Sequence, residues 1–220
     1  MLVGAGAIGS HVADDLGREG RFNWTIIDDD RLFPHNLARH IARGGDIAQL
    51  KAKILADHLN ATVAGPPWAR AICANLFAEG EDGKAIDAAL KEADFVIDAS
   101  ASLVAARHLS DHGSAARRAS VFFNPSGEAA VLLAEPAGRG LTLRDLEAQY
   151  LSLVLRTEHL SDHLGKEAEA RQIGRDGAGY RETEASLRRA SSSSRIDPGI
   201  CRSLDDCGEM WCGRTREQTD

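Results

Sequence analysis

Leu2-Val3-Gly4-Ala5-Gly6-Ala7-Ile8-Gly9-Ser10 stands near the start of the chain, and Asn23-Trp24-Thr25-Ile26-Ile27-Asp28 comes after a short gap. Leu2-Val3 is the end of a strand. Ile8, Val12 and Leu16 then recur every four residues, which is one face of a helix. Between them lies Gly4-x-Gly6-x-x-Gly9. Gly4 permits a tight turn, Gly6 lets backbone approach a phosphate, and Gly9 lets helix and strand pack closely. The helix start offers N–H groups and a positive dipole end to an anion. The second stretch is apolar through Ile27 and turns abruptly acidic. Asp28 lies 19 residues after Gly9, at a strand end, where a carboxylate binds ribose hydroxyls. Together the two stretches point to a bound nucleotide; the bland alternative is a tight turn with no ligand.

Further along the chain, the alternation of short β-like and longer α-like patterns continues. Ile47, Leu50, Ile54 and Leu59 mark an amphipathic helix, and Trp68 to Ala74 a third strand after the break at Gly65-Pro66-Pro67. Ile86, Ala89, Leu90 and Ala93 give a helix, Asp94 to Asp98 a fourth strand, and Leu103 to Leu109 another helix. Ser120 to Asn124 and Ala129 to Ala134 are two more strands. Thr142-x-x-Asp145 resembles a capping box before a helix with Leu143, Leu146, Tyr150 and Val154 on one side. The pattern predicts an α/β domain over 1–160: a doubly wound, mostly parallel, Rossmann-like sheet covered on both faces. Residues 161–220 hold only six Val, Ile, Leu or Phe and the run Ser191 to Ser194, so they are expected to form an irregular, loosely ordered tail.

The chain has 220 residues, 43% hydrophobic and 27% charged, ordinary values for a globular protein. With 26 basic and 33 acidic residues the net charge is −7, which argues against a nucleic-acid partner held by phosphate neutralisation. No apolar run approaches the ~20 residues of a membrane helix, and no signal peptide is recognisable, so a cytoplasmic protein without membrane contact is expected. Four scattered cysteines suit a reducing compartment. Cys73 lies in an apolar strand pattern and is expected to be a buried thiol. Cys201, Cys207 and Cys212 have a poor zinc spacing, and no zinc is expected. His35 and His40 are read as surface-loop residues, and His108 and His112 as surface or cap residues.

The residues after Asp28 sharpen the choice of nucleotide. Asp30, Asn36, Arg39 and, twelve residues on, Lys51 bring an amide, a guanidinium and an ammonium to the same region. Such a set suits a triphosphate; a dinucleotide's pyrophosphate needs fewer cations. The side chains at 36, 39 and 51 are expected to converge over the glycine turn.

The residues Gly4 to Ser10, Asp28-x-Asp30, Asn36-Leu37-x-Arg39, Lys51-Ala52 and Val96-Ile97-Asp98-Ala99-Ser100 resemble the adenylation domain of the ThiF-type, ubiquitin-activating-enzyme-like family. The likeness covers about residues 1–160, most strongly 1–110. Pro34 to His40 and Leu146 to Tyr150 look most like bacterial members that accompany conjugating-enzyme and isopeptidase domains. The resemblance implies ATP and Mg²⁺ as cofactors and adenylation of the C-terminal carboxylate of a ubiquitin-like or sulfur-carrier-like protein. It implies that Gly4, Gly6 and Gly9 border the nucleotide, that Asp28 holds ribose, and that Asn36, Arg39 and Lys51 engage phosphates, with Arg39 and Lys51 catalytic. Asp30 and Asp98 complete the nucleotide site, and Asp98 is the expected Mg²⁺ ligand. A conjugating-enzyme domain and a second copy of the chain are further implied partners.

Three departures stand beside the likeness. The family's Asp-x-x-Asp-Asn is here Asp98-Ala99-Ser100-Ala101-Ser102, and a methyl group cannot bind a hard cation that demands oxygen ligands. Only three residues precede Gly4, so the chain reads as truncated at its N-terminus. The paired Cys-x-x-Cys zinc motifs of many relatives are missing. Two other expectations therefore stay open: a nucleotide-binding module without turnover, motivated by Ala101 and the short start, and a NAD-dependent oxidoreductase, motivated by the glycine loop and Asp28 alone.

Overall fold

The computed structural model describes residues 1–124, 127 and 129–158, and the backbone of a strand at Glu209–Arg214. The chain divides by packing into two compact units, Met1–Val121 and Phe122–Asp220.

The first unit alternates strand and helix: β1 (Leu2–Val3), α1 (Ala7–Gly17), β2 (Trp24–Ile27), α2 (Lys51–Thr62), β3 (Ala69–Ile72), α3 (Gly80–Glu92), β4 (Phe95–Asp98) and α4 (Leu103–Asp111), with β5 starting at Arg117 (Arg117–Phe123). The strands lie in the order β3-β2-β1-β4-β5, all parallel. This is the expected doubly wound, Rossmann-like α/β sheet. β1 is only two residues long, yet both are fixed on each side: Val3 stands opposite Ile27 of β2 and Asp98 of β4. The order reverses at β1, and the crevice beyond the carboxyl ends of β1 and β4 is where such sheets bind ligands.

Two apolar cores flank these strands. One gathers Leu2, Ala13, Trp24, Ile26, Leu55 and Leu59; the other gathers Val3, Ile27, Ile86, Leu90, Val96 and Leu109. Alternate residues of one strand thus feed opposite faces, as the period-two geometry of a strand requires. Helix α1 comes so close to α2 that a Cβ on Gly17 would collide with Leu59. After α4 the chain bends around Arg118, which is fully buried. Its guanidinium donates to the carbonyls of Ala116, His112 and Ser114 at 2.8, 2.7 and 3.2 Å and to Ser114 Oγ at 3.0 Å.

In the second unit, β6 (Ala129–Ala134) pairs antiparallel with β7 (Glu209–Arg214). Helix α5 (Leu143–Val154) carries the capping box read from the sequence: Thr142 N–H donates to Asp145 Oδ2 at 2.8 Å, and Thr142 Oγ1 accepts from Asp145 N–H. Leu143, Leu146, Tyr150 and Val154 are all buried, and the Phe122 ring meets Tyr150 edge-on at 5.6 Å.

The sequence reading needs four corrections. Ile47 and Leu50 precede α2 rather than belonging to it, because a 3₁₀ turn at Gly44–Asp46 and a left-handed Ala48 (φ 71°) intervene. Strand β3 ends at Ile72, so Cys73 falls beyond the sheet and is exposed, not buried. His40 is buried rather than on the surface. A stretch expected to be irregular contains β7, whose partner strand ends 75 residues earlier. The remaining expectations for 161–220, including those for Cys201 and Cys207, lie outside the described residues. No described helix is long and apolar enough to cross a membrane.

Leu59 is fully buried in the first core and lies against Gly17 of α1. Leu59→Ala should cost about 2–5 kcal/mol of unfolding free energy, measured by urea denaturation.

Candidate functional site

A cavity of about 290 Å³ opens at the carboxyl ends of the strands in the first unit. Its walls include Gly4 and Gly6 from the turn after β1, Asp28 to Asp30 after β2, Asn75 and Phe77 after β3, Ser100 and Ser102 after β4, and Lys51.

The turn is built by crowding. Gly4 has φ +89°, and a Cβ there would stand 2.8 Å from the backbone of Ser100. A Cβ on Gly9 would run into the carbonyl oxygen of Gly4. Gly6, by contrast, has nothing within 4 Å on its Cβ side, so its backbone faces open space. It is also the N-cap of α1, with no side-chain cap and no acidic residue in the first helical turn. The helix start therefore offers its N–H groups uncontested to an anion.

Asp28 locks the turn to the second strand. Its Oδ2 accepts from Ala5 N–H at 2.7 Å, and its Oδ1 accepts from Asp30 N–H at 2.8 Å. Burial pushes this carboxyl above the usual range, while the two N–H donors and Lys51 pull the other way. Lys51 arrives because the segment after β2 folds back on the start of α2: Lys51 N–H donates to the Asp30 carbonyl at 2.9 Å, and Arg31 bridges Leu50. Its Nζ then donates to Asp30 Oδ2 at 2.7 Å. The Lys51 side chain is 10% exposed and that of Asp30 69%, so the ammonium is enclosed and the acid stands at the rim. Asp28, Asp29 and Asp30 each present a carboxylate oxygen within 4.8 Å of the others, a donor set suited to a hard cation.

The structure thus brings Gly4, Gly6, Asp28, Asp30 and Lys51 to one cavity. Gly9 sits behind it against Gly4. Asn36 and Arg39 lie on the 3₁₀ turn Pro34–Arg39, outside the cavity wall, so the three expected side chains do not meet there. The reason for Asn36 is local: its Oδ1 accepts from Phe33 N–H at 2.9 Å and closes its own turn. Asp98 is 1% exposed and off the wall. Its Oδ1 accepts from Ser100 N–H and Oγ at 3.0 and 2.6 Å, and its Oδ2 from Ser120 Oγ at 3.1 Å. Those donors hold the loop after β4 in place, although burial still lifts this carboxyl above its usual range. The oxygen donors suited to Mg²⁺ are consequently the Asp28–Asp30 group rather than Asp98.

Sequence reasoning missed Asn75, whose Nδ2 donates to Asp29 Oδ2 at 3.0 Å and whose Oδ1 accepts from Phe77 N–H at 3.0 Å. It missed Ser100 as well. Both sit just past a strand's carboxyl end, the position where such folds place ligand-contacting groups, and that rule was the available signal.

A parallel sheet with a glycine turn, a strand-end acid and a lysine around one crevice defines a Rossmann-like nucleotide-site architecture. The ThiF family model matches residues 1–126, more than half of the chain, and the chain belongs to that family. A stretch of 60 residues is 38% identical to the "ATP-dependent ubiquitin transferase-like protein Cap2" of Enterobacter hormaechei subsp. hoffmannii (strain UCI 50), covering 27% of this chain and 10% of that protein. Two solved structures share the fold at a TM-score of 0.50 and 18% identity, over 60% of this chain: E. coli MccB with ATP, of which 38% is covered, and the microcin C7 biosynthetic enzyme MccB in complex with N-formylated MccA, of which 37% is covered. The chain therefore spans a small part of the curated relative and well under half of the solved ones.

The crowding at the turn makes a direct prediction. Gly9→Ala drives a methyl group into the Gly4 carbonyl and should destabilise the first unit by about 1–3 kcal/mol, read as a lowered melting temperature by circular dichroism.

Proposed function

We propose that the chain binds ATP in this cavity and, as an adenylyltransferase, activates the C-terminal carboxylate of a protein or peptide, a ubiquitin-like or sulfur-carrier-like protein being the favoured substrate. The observation that carries the reading is the joint geometry of Asp28 and Lys51. One carboxylate is bonded to the glycine turn, and an enclosed ammonium stands across the same cavity, 2.7 Å from Asp30. Membership of the ThiF family supports the choice of reaction. A protein or peptide co-substrate is supported by the relatives: Cap2 is named a ubiquitin transferase-like protein, and MccB is seen with MccA.

In this reading Asp28 accepts hydrogen bonds from the ribose, and the α1 N-terminus and Gly6 backbone take phosphate oxygens. A substrate carboxylate attacks the α-phosphorus; the bond to the bridging oxygen breaks and pyrophosphate leaves. Both reactants are anionic, so the protein's task is to cancel repulsion and the charge growing on the leaving group. Lys51 is assigned to that task as a point charge and Arg39 as a planar fork. Asn36 is assigned to the phosphates from the same turn as Arg39. What supports giving that turn a part is the next residue, His40, which stands 2.8 Å from the Ala5 carbonyl. Asp29 and Asp30, the exposed members of the acidic group, are the residues that would hold Mg²⁺, which would supply further charge neutralisation, while Asp28 stays with the ribose. The domain so assigned is 1–160, to which strand β7 of the 161–220 stretch adds by pairing with β6; cytoplasmic location, a conjugating-enzyme domain and a homodimer belong to the same proposal.

A second reading, nucleotide binding without turnover, is favoured by one observation. Ala101, left-handed at φ 54°, occupies the place where the resembled family carries an acid. Exchange of labelled pyrophosphate into ATP in the presence of a candidate carboxyl-terminal substrate decides between them. The proposed enzyme exchanges label; a binder takes up ATP without exchange, and a NAD-dependent oxidoreductase prefers NADH to ATP in a titration. Arg39→Ala and Lys51→Ala should each lower ATP affinity or exchange by about tenfold or more, the equivalent of a charge-assisted contact of ~1.5–3 kcal/mol. Unchanged binding and exchange in both variants would overturn the phosphate assignment.

A further inference from the structure

His40 does not line the cavity, yet it touches the turn that does. The Ala5 peptide is held through both of its polar groups. Its N–H donates to Asp28 Oδ2 at 2.7 Å, and its carbonyl oxygen lies 2.8 Å from His40 Nε2. On the far side of the ring, Ala42 N–H donates to Nδ1 at 3.0 Å. A ring nitrogen that accepts a hydrogen bond carries no proton. The neutral imidazole therefore keeps its proton on Nε2 and donates it to Ala5. His40 is 7% exposed, so this arrangement is closed to bulk water.

We propose that His40 is a positioning residue for the nucleotide turn: the neutral ring fixes the Ala5 carbonyl, and with it the direction of the backbone between Gly4 and Gly6, and a second proton undoes that hold. Protonation puts N–H against N–H at Ala42 and removes one of the two bonds that seat the ring. Burial first, then Lys51 and His11, oppose the second proton, while the Ala5 carbonyl and Asp46 favour it. The balance lowers the ring below the usual imidazole value. The native state thus takes its proton later than an unfolded chain. The seating is intact above about pH 6.5 and is lost as pH falls through the lower native value. The inference rests on the ATP reading above for its functional arm, but not for its structural one.

The test uses the full chain as wild type, His40→Gln and His40→Ala. Glutamine is chosen because its amide nitrogen can donate to Ala5 and its oxygen accept from Ala42, without titrating. Without nucleotide, amide hydrogen exchange at Ala5 should speed up by about tenfold or more in the alanine variant and stay near wild type in the glutamine variant; imidazole nitrogen NMR should show the Nε2–H tautomer. With the ATP analogue AMPCPP, calorimetric titration is run at about pH 8 and about pH 5.5, on either side of the imidazole range. His40→Gln should bind near wild type at the higher pH, and His40→Ala about tenfold more weakly. On acidification the wild type should lose more affinity than His40→Gln, a comparison that cancels the titration of the nucleotide itself. The proposal is overturned by a folded alanine variant with wild-type exchange and affinity, or by one shared pH profile for wild type and His40→Gln. Tighter binding by the wild type in acid also overturns it, because His40 then acts as a phosphate cation. If the wild type takes up no AMPCPP at either pH, the ATP reading fails, and the exchange and NMR arms still judge His40.

Discussion

The structure depends on a single peptide group being gripped from two directions. The Ala5 N–H is tied to Asp28 at the end of β2, and the Ala5 carbonyl to the ring of His40 on a later loop. Neither tie is local in sequence, with separations of 23 and 35 residues. The glycine turn is otherwise a chain segment of high backbone freedom that must be ordered at an entropic cost. Crowding removes part of that freedom, because Gly4 is wedged against Ser100 and Gly9 against Gly4 itself. The two hydrogen bonds remove the rest. The parallel pairing of Leu2 and Val3 on both sides and the gripped turn define where α1 begins.

The electrostatics of the cavity follow from the same geometry. Three consecutive carboxylates and one enclosed ammonium, paired with Asp30, line the same cavity, so acid outnumbers base among these groups. A polyphosphate entering such a place meets repulsion unless positive charge accompanies it. Cation donors from outside the wall are thus a requirement of the proposed chemistry rather than an embellishment, and this is the physical ground for giving both Mg²⁺ and Arg39 a part in it. The Lys51–Asp30 pair holds the ammonium in place before any ligand arrives. The cost is that one bond must be exchanged or shared when phosphate binds.

Much of the fold was legible because it is written in local periodicity. The face Leu143, Leu146, Tyr150 and Val154 is buried as its spacing implies, and the Thr142–Asp145 box closes the same helix. Strand ends were readable to within a residue or two at Ile27 and Asp98, where apolar runs turn acidic. The glycine turn and Asp28 were legible as a nucleotide-type pattern, and the structure sets them around one cavity. What was not legible depends on long-range contact. Ile47 and Leu50 have helical spacing, but left-handed Ala48 between them breaks the helix. Cys73 has strand-like neighbours, but the sheet stops one residue earlier. His40 reads as a loop residue until the Ala5 carbonyl is known to stand opposite it. The β6–β7 pairing joins segments whose relation no local pattern encodes. Spacing alone also could not show that the Asn36 side-chain oxygen closes its own turn by accepting from Phe33 N–H.

The buried Arg118 has a bearing on protein engineering. The link from α4 to β5 contains Gly113 and carries no helix or strand, and so resembles a harmless place to splice in a tag or to open new termini. Its carbonyls at His112, Ser114 and Ala116 are instead coordinated by one guanidinium, much as a bound cation would organise a loop. Lengthening that link would draw these carbonyls away from a positive charge sealed inside the domain, a heavier penalty than the entropy of a longer connection.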